Sequence, residues 1–155
     1  YKTVSLLYLS LLVYFIFSIE SHYTNLKLYL LYSLLVSILS DIGGLVIGKT
    51  IKGKKLIKIS PNKTISGCIG SFIFSLILIF IFYEELSAYS FLILILITVM
   101  ISITSQLGDL FISLLKRKAK VKDTSDILPG HGGFLDRVDG IIFALPIGIL
   151  LFTIF

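Results

Sequence analysis

The sequence predicts an all-α integral membrane protein with about five transmembrane helices, its N-terminus cytoplasmic and its C-terminus outside. Three observations lead there. Hydrophobic residues make up 56% of the 155 residues and charged residues only 15%, whereas a soluble domain carries roughly a quarter. Of the 14 Lys and Arg residues, six lie in 49–63 and six in 116–137, leaving only Lys2 and Lys27 elsewhere. Around these two windows the chain is apolar over lengths that cross a bilayer. The same figures exclude disorder, which needs low hydrophobicity. The net charge of +5 resolves into two basic loops rather than a surface for nucleic acid. The single cysteine, Cys68, excludes an internal disulfide framework and sits in an apolar run as a small packing residue.

The first span is read over 4–19, about 24 Å of helix and extendable through Thr3 and Ser21. A signal peptide would also show Lys2 and an apolar core, but no small-x-small cleavage site follows. The second span is 26–48 and the third 65–83. The fourth starts near Leu86, stays apolar to Leu107 and continues as helix to about Leu115, giving 86–115. The fifth is 138–155 and contains Pro146, which membrane helices tolerate. The connections alternate in character. Residues 20–25 and 84–88 carry acids and no Lys or Arg, while 49–63 and 116–137 are basic. Five spans put both basic loops on one side, which the excess of Lys and Arg makes cytoplasmic. Residues 1–155 read as one polytopic membrane domain, with no internal repeat and no separate soluble unit.

The acids carry the chemistry. Glu20, Glu84 and Glu85 belong to the outer loops. Asp41 lies inside the second span, eight residues before Lys49, and Asp109 inside the fourth, seven before Lys116. Both are therefore about 10–12 Å along a helix from the basic loops. Asp136 and Asp139 stand at the entrance of the fifth span, three residues apart and on one helical face. Four carboxylates from three helices are thus expected to be able to converge at one depth in the cytoplasmic half. Ionisable residues inside spans are costly and point to function. Ser102, Gln106, Asp109, Ser113, Lys116 and Arg117 form a polar stripe along the fourth helix, anionic in its middle and cationic at its end. That order suits a metal ion held by carboxylate beside bound phosphate. Mg²⁺ takes oxygen ligands, usually one or two carboxylates with phosphate and water, and Asp109, Asp136 and Asp139 fit it. No His/Cys cluster, Ser-His-Asp order, Walker loop or dinucleotide fingerprint is present.

Ahead of Asp136 and Asp139 runs Leu128–Gly140, LPGHGGFLDRVDG. Pro129, Gly130, Gly132 and Gly133 forbid continuous helix and let backbone amides approach a phosphate. His131 is placed to donate to a phosphate, to polarise a leaving oxygen or to brace the turn. In the other basic loop, Ser60-Pro61 breaks helix and Thr64 or Ser66 can cap the third span. Lys63 stands at the mouth of that span, within reach of a phosphate. Lys49 to Lys58 fit positive-inside topology and contact with membrane lipids. Gly44 and Gly48 form a small-xxx-small pair for close helix packing.

These residues resemble a known signature. Ser113–Asp139, SLLKRKAKVKDTSDILPGHGGFLDRVD, is similar to that of the phosphatidate cytidylyltransferase (CDP-diacylglycerol synthase) family: S-x-x-K-R, four residues, K-D, then P-x-H-G-G-x-x-D-R-x-D. Ser113, Lys116, Arg117, Lys122, Asp123, Pro129, His131, Gly132, Gly133, Asp136, Arg137 and Asp139 fill it without a gap. Gly108-Asp109-Leu110 matches the family's G-D-L. Asp41-Ile42-Gly43-Gly44-Leu45 resembles D-x-G-A-aromatic, departing at Gly44 and Leu45; Ser60-Pro61-Asn62-Lys63-Thr64 followed by Gly67 resembles S-P-K-K-T-x-E-G, departing at Asn62 and Ser66. The likeness covers about residues 38–155. It implies Mg²⁺-dependent transfer of CMP from CTP to phosphatidic acid, giving CDP-diacylglycerol and pyrophosphate. It implies a metal set of Asp109, Asp136 and Asp139 holding one or two ions. Lys116, Arg117, His131 and Arg137 join these acids as catalytic residues. Ser60, Lys63, Ser113, Lys122, Asp123, Gly132 and Gly133 are implied to bind substrate. It further implies a homodimer in a bacterial inner membrane, active on the cytoplasmic face, with further spans ahead of Tyr1. Two rivals are weighed against it. A CTP-dependent polyprenol kinase would release CDP rather than pyrophosphate. A cation or proton transporter would place its acids at mid-membrane rather than to one side.

Overall fold

The computed structural model describes residues 25–57, 60–121 and 135–155, together with residues 7, 10, 11, 13 and 14; for 56, 57, 60–62 and 135–137 it describes the backbone only. The predicted span 4–19 lies outside the described residues apart from those five positions. The remaining elements are α1 (Leu26–Ile51), a hairpin of β1 (Lys55–Ile57) and β2 (Ser60–Thr64), α2 (Ile65–Phe82), α3 (Phe91–Lys118) and α4 (Leu135–Ile154). α1, α2 and α3 are long and apolar enough to cross a membrane, and α4 carries a shorter apolar stretch, Val138–Ile154. The protein is an all-helical integral membrane protein, and the hairpin is the one sheet among the described residues.

The helices pack around α1, which touches α2, α3 and α4. Lipid is as apolar as leucine, so such helices associate through close packing and hydrogen bonds rather than through expulsion of water. The α1–α2 crossing uses the first device. A Cβ at Gly43 would lie 2.4 Å from the carbonyl oxygen of Gly70, and one at Gly70 would lie 2.6 Å from that of Gly43. Gly44 and Gly48 also face α2, with Gly44 against Ser71 and Gly48 against Thr64 and Gly67. The closest approach, however, is at Gly43. The α1–α3 contact uses the second device. Tyr32 bonds Thr98 (2.6 Å), Ser37 bonds Ser105 (2.7 Å) and Ser40 bonds Ser102 (2.9 Å), all of them fully buried. Thr98 donates its own proton to the Leu94 carbonyl at 2.7 Å, so Tyr32 is the donor in the first pair. Early residues of α1 meet early residues of α3, so the two helices run the same way.

Element ends follow local chemistry. Where the sequence suggests a helix from near Leu86, residues 83–88 form turns and α3 begins at Phe91, capped by the Ser90 hydroxyl, which accepts from the amide of Ile93 (3.4 Å). Leu86 is apolar because it is buried at the end of the bundle, not because it is in the helix. α3 runs to Lys118 and ends in a Schellman motif: Val121 N–H donates to Lys116 O (3.0 Å) and Lys120 N–H to Arg117 O (3.1 Å). Lys120 takes the left-handed backbone at φ 57°. Lys116, Arg117 and Lys118 in that last turn complement the helix dipole. α4 continues through Pro146.

Within the basic window 49–63 the described residues include the end of α1 and a hairpin. α1 extends to Ile51, and Lys52 adopts a left-handed backbone (φ 48°) to end it. β1 and β2 then pair antiparallel, Lys55 with Thr64 and Ile57 with Ser60, with an irregularity in register between them. Pro61, which has no N–H to donate, fits a two-stranded ribbon in which every strand is an edge.

A candidate acidic active site

Three helices deliver three carboxylates to one end of the bundle, and in each case a small residue next to the acid sets its position. Asp41 follows Ser40, which is tied to Ser102 of α3. Asp109 follows Gly108, where a Cβ would stand 2.5 Å from the Phe143 ring and 3.1 Å from the carbonyl oxygen of Asp139. Asp139 precedes Gly140, where a Cβ would stand 2.6 Å from Ser105 Oγ and 3.0 Å from its carbonyl oxygen. α3 and α4 therefore meet backbone to backbone beside Asp109 and Asp139. Asp139 is buried at 8% exposure, and its Oδ1 accepts from the amide of Gly140 at 2.9 Å. Asp41 lies in the electrostatic field of both Asp109 and Asp139. Asp139 in turn feels Asp109.

Cations answer this charge. Lys63 Nζ forms an ion pair with Asp109 Oδ2, and both side chains are about a quarter exposed, at 26% and 27%. Ser113, one turn on from Asp109, donates to its Oδ1 at 3.3 Å. Lys63 also acts on Asp41 and Asp139, and Lys116 acts on Asp139. Arg117, one residue around the helix, is exposed.

Lys63 is held in place by its backbone. Thr64 caps α2, its hydroxyl accepting from the amide of Gly67 (3.1 Å) and sharing a bond with Ser66 Oγ (3.0 Å). The amide of Ile65 donates to Lys54 O (3.0 Å) and that of Gly53 to Ser66 Oγ (3.3 Å), which staples the loop after α1 to the start of α2. The hairpin thus presents Lys63 from a fixed base. Sequence reading places Thr64 or Ser66 as the cap, and it is Thr64; nothing in the local sequence shows that Lys63 meets Asp109.

The other predicted residues stand as follows. Lys122, Asp123, His131, Gly132 and Gly133 lie outside the described residues. So do the side chains of Ser60, Asp136 and Arg137, whose backbones belong to β2 and to the first turn of α4. Ser102 is buried against Ser40, and Gln106 donates to Ser102 Oγ at 3.3 Å, so the upper part of the polar stripe is packing. Its lower part, Asp109, Ser113 and Lys116, belongs to the acidic cluster.

Among the described residues, no three His, Cys, Asp or Glu side chains stand close enough to hold a metal ion alone. Mg²⁺ needs only one or two carboxylates when phosphate and water complete its shell. The donors here are all oxygen, and the ammonium of Lys63 already stands in for a cation against Asp109. Asp109 and Asp139 therefore fit such an ion.

Comparison with known proteins matches a model of the cytidylyltransferase family to residues 1–155. The chain is 47% identical over 122 residues to a phosphatidate cytidylyltransferase of Staphylococcus haemolyticus, covering 77% of this chain and 46% of that protein. It is 42% identical over 131 residues to one of Bacillus subtilis, covering 82% and 48%. Against one of Staphylococcus aureus it is 43% identical over 136 residues, covering 86% and 52%. The chain spans about half the length of the curated relatives it matches.

Proposed function

Because this chain belongs to the cytidylyltransferase family, we propose that it supplies the phosphate-handling site of a phosphatidate cytidylyltransferase, transferring CMP from CTP to phosphatidic acid to give CDP-diacylglycerol and pyrophosphate. The observation that carries the reading is the meeting of Lys63, Asp109, Ser113, Lys116 and Asp139 from three separate elements at one end of the bundle. Phosphoryl transfer depends on positioning and charge neutralisation more than on covalent chemistry. An acidic cluster bordered by cations supplies both. An oxygen of the lipid phosphate attacks the α-phosphorus of CTP in line, and pyrophosphate leaves. Lys63 and Lys116 neutralise phosphate charge, and Arg117, Lys122 and Arg137 are assigned the same work on the signature. Ser113 orients Asp109, or a phosphate once one is bound. His131 and the glycine turn, with Ser60 and Asp123, complete the substrate contacts. Asp109 and Asp139, joined by Asp136, would hold Mg²⁺, which when bound would supply charge screening of the phosphates and polarisation of the phosphorus under attack.

The multi-pass protein is placed in a bacterial inner membrane with this end facing the cytoplasm. The clustering of Lys49, Lys52, Lys54 and Lys55 beside the site supports that orientation. Phosphatidic acid then enters from the leaflet and CTP from the cytosol. The homodimer rests on the resemblance alone. The test is the fate of label. In membranes containing the protein, phosphatidic acid and Mg²⁺, label from the α-phosphate of CTP enters lipid and label from the γ-phosphate leaves as pyrophosphate. Transfer of the γ label to lipid, with release of CDP, would identify a kinase instead.

A further inference from the structure

From the ion pair between Lys63 and Asp109, we infer that Lys63 is the resident counter-ion of the acidic site and is exchanged on loading: it gives up Asp109 to a divalent cation and turns to a phosphate of the nucleotide. This rests on the functional reading above and adds to it a coupling between the two ligands.

Four features carry the inference. First, Asp109 is doubly engaged, with Oδ2 on Lys63 and Oδ1 on Ser113. A cation that takes Oδ2 displaces the ammonium from it. Second, Lys63 cannot simply leave. It pairs with Asp109 and lies in the field of Asp41 and Asp139, so removing it with no replacement leaves the Asp109 carboxylate without its partner cation at a helix interface of low polarity. Departure of the ammonium and arrival of the cation are therefore one exchange. Third, the movement is confined to a side chain. The Thr64 cap, the Lys54–Ile65 bond and the Gly53–Ser66 bond hold the backbone around Lys63, while its four-carbon stem rotates freely. Fourth, the pair is about a quarter exposed, so ions reach it without the bundle opening.

The consequence is reciprocal. While Lys63 is bound to Asp109, it is unavailable to phosphate, and the carboxylates repel an incoming nucleotide. Once the cation is in place, Lys63 is free to meet phosphate. Each ligand therefore improves the binding of the other by the same factor, as linkage requires. Lys63 is a substrate-binding residue in this scheme, and it also times the two binding events.

The experiment measures Mn²⁺ binding, by the loss of the free-ion resonance signal, to the whole protein in lipid nanodiscs without nucleotide or phosphatidic acid. Lys63→Met and Lys63→Gln are expected to bind Mn²⁺ about tenfold more tightly than the native protein, within the usual range of coupling factors. Lys63→Arg keeps the charge and should keep the native affinity. Asp109→Asn should abolish the tight site. In turnover, the two neutral variants should need less Mg²⁺ for half-saturation while their KM for CTP rises. A merely structural lesion would not move the two constants in opposite directions. Unchanged or weaker Mn²⁺ binding in both neutral variants, with binding still lost in Asp109→Asn, overturns the exchange but leaves the acidic site standing. Binding that ignores Asp109→Asn, or that is absent throughout, overturns the site reading and the exchange with it.

Discussion

The two ends of α1 are built from different materials. Near its start, Tyr29 stacks on Phe152 (4.5 Å between ring centres, 7° between planes), and Tyr32 meets Phe82 and Phe152 edge-on. Tyr89 joins them, donating its hydroxyl to the carbonyl oxygen of Phe152 (2.7 Å) and lying 3.0 Å from the Tyr29 hydroxyl. Roughly 16 Å further along, the same helix carries Asp41, Gly43, Gly44 and Gly48. The aromatic end consists of large rings whose polar tips are all satisfied, and each ring pair contributes about 0.5–1.5 kcal/mol beyond its buried area. The acidic end consists of glycines and carboxylates. It has little side-chain bulk, close backbone contact and like charges held near one another. The first arrangement only holds helices together. The second gives up packing volume and concentrates charge, which is worthwhile only if a ligand completes it. The comparison teaches that small residues serve two purposes here: at Gly43 and Gly70 they bring backbones together, and at Gly108 and Gly140 that same closeness brings acids together.

Removing the divalent cation should separate the two ends most completely. Chelation is expected to abolish CDP-lipid formation, with recovery on adding Mg²⁺, while the thermal unfolding temperature changes little, since the aromatic end and the hydroxyl pairs hold the bundle. Next comes Gly70→Val. Its side chain would collide with the Gly43 carbonyl and Ile47, and overpacking a close crossing costs about 3 kcal/mol. Loss of stability measured by thermal unfolding should be accompanied by loss of activity. Tyr89→Phe is smaller: it removes the hydroxyl that bonds the Phe152 carbonyl and meets Tyr29, at about 1 kcal/mol per hydrogen bond, so unfolding shifts by several degrees and the rate of transfer stays within about twofold of native. Smallest is Gly44→Ala. Its Cβ meets the Ser71 hydroxyl at 2.8 Å, which can rotate away, and the Gly67 carbonyl oxygen at an ordinary 3.6 Å, and alanine is the residue that the resembling motif carries there. Stability should change by under about 1 kcal/mol, well below the range for a rigid clash.

The aromatic end and the acidic end were not equally legible in the sequence. The acids were easy, because a carboxylate in an apolar run stands out: Asp41 and Asp109 announce themselves by the cost of placing them there. Hydropathy puts spans at 26–48 and 65–83 and the helices run 26–51 and 65–82, while it misleads where an apolar residue serves another purpose, as Leu86 does in the turn before Ser90. Hydropathy is also blind to which small residues touch. Gly44 and Gly48 have the familiar spacing, yet the closest approach falls at Gly43, because the crossing point depends on how α2 is rotated. The hairpin was missed because three residues and five residues give too short a pattern to separate from a basic loop, and its pairing is set by long-range staples at Gly53 and Lys54. The Lys63–Asp109 pair joins residues far apart in the chain through that hairpin, so no local signal could reveal it.

The account stands most directly on Asp109. The decisive measurement is the initial rate of Mg²⁺-dependent CDP-lipid formation by Asp109→Asn and by the native protein, in membranes matched for folded protein. The substitution removes one charge while keeping shape, and losses of transition-state charge stabilisation run to about 100-fold or more. A fall of that size with native thermal stability is the result expected. An undiminished rate would contradict the assignment of the acidic end as the centre of transfer.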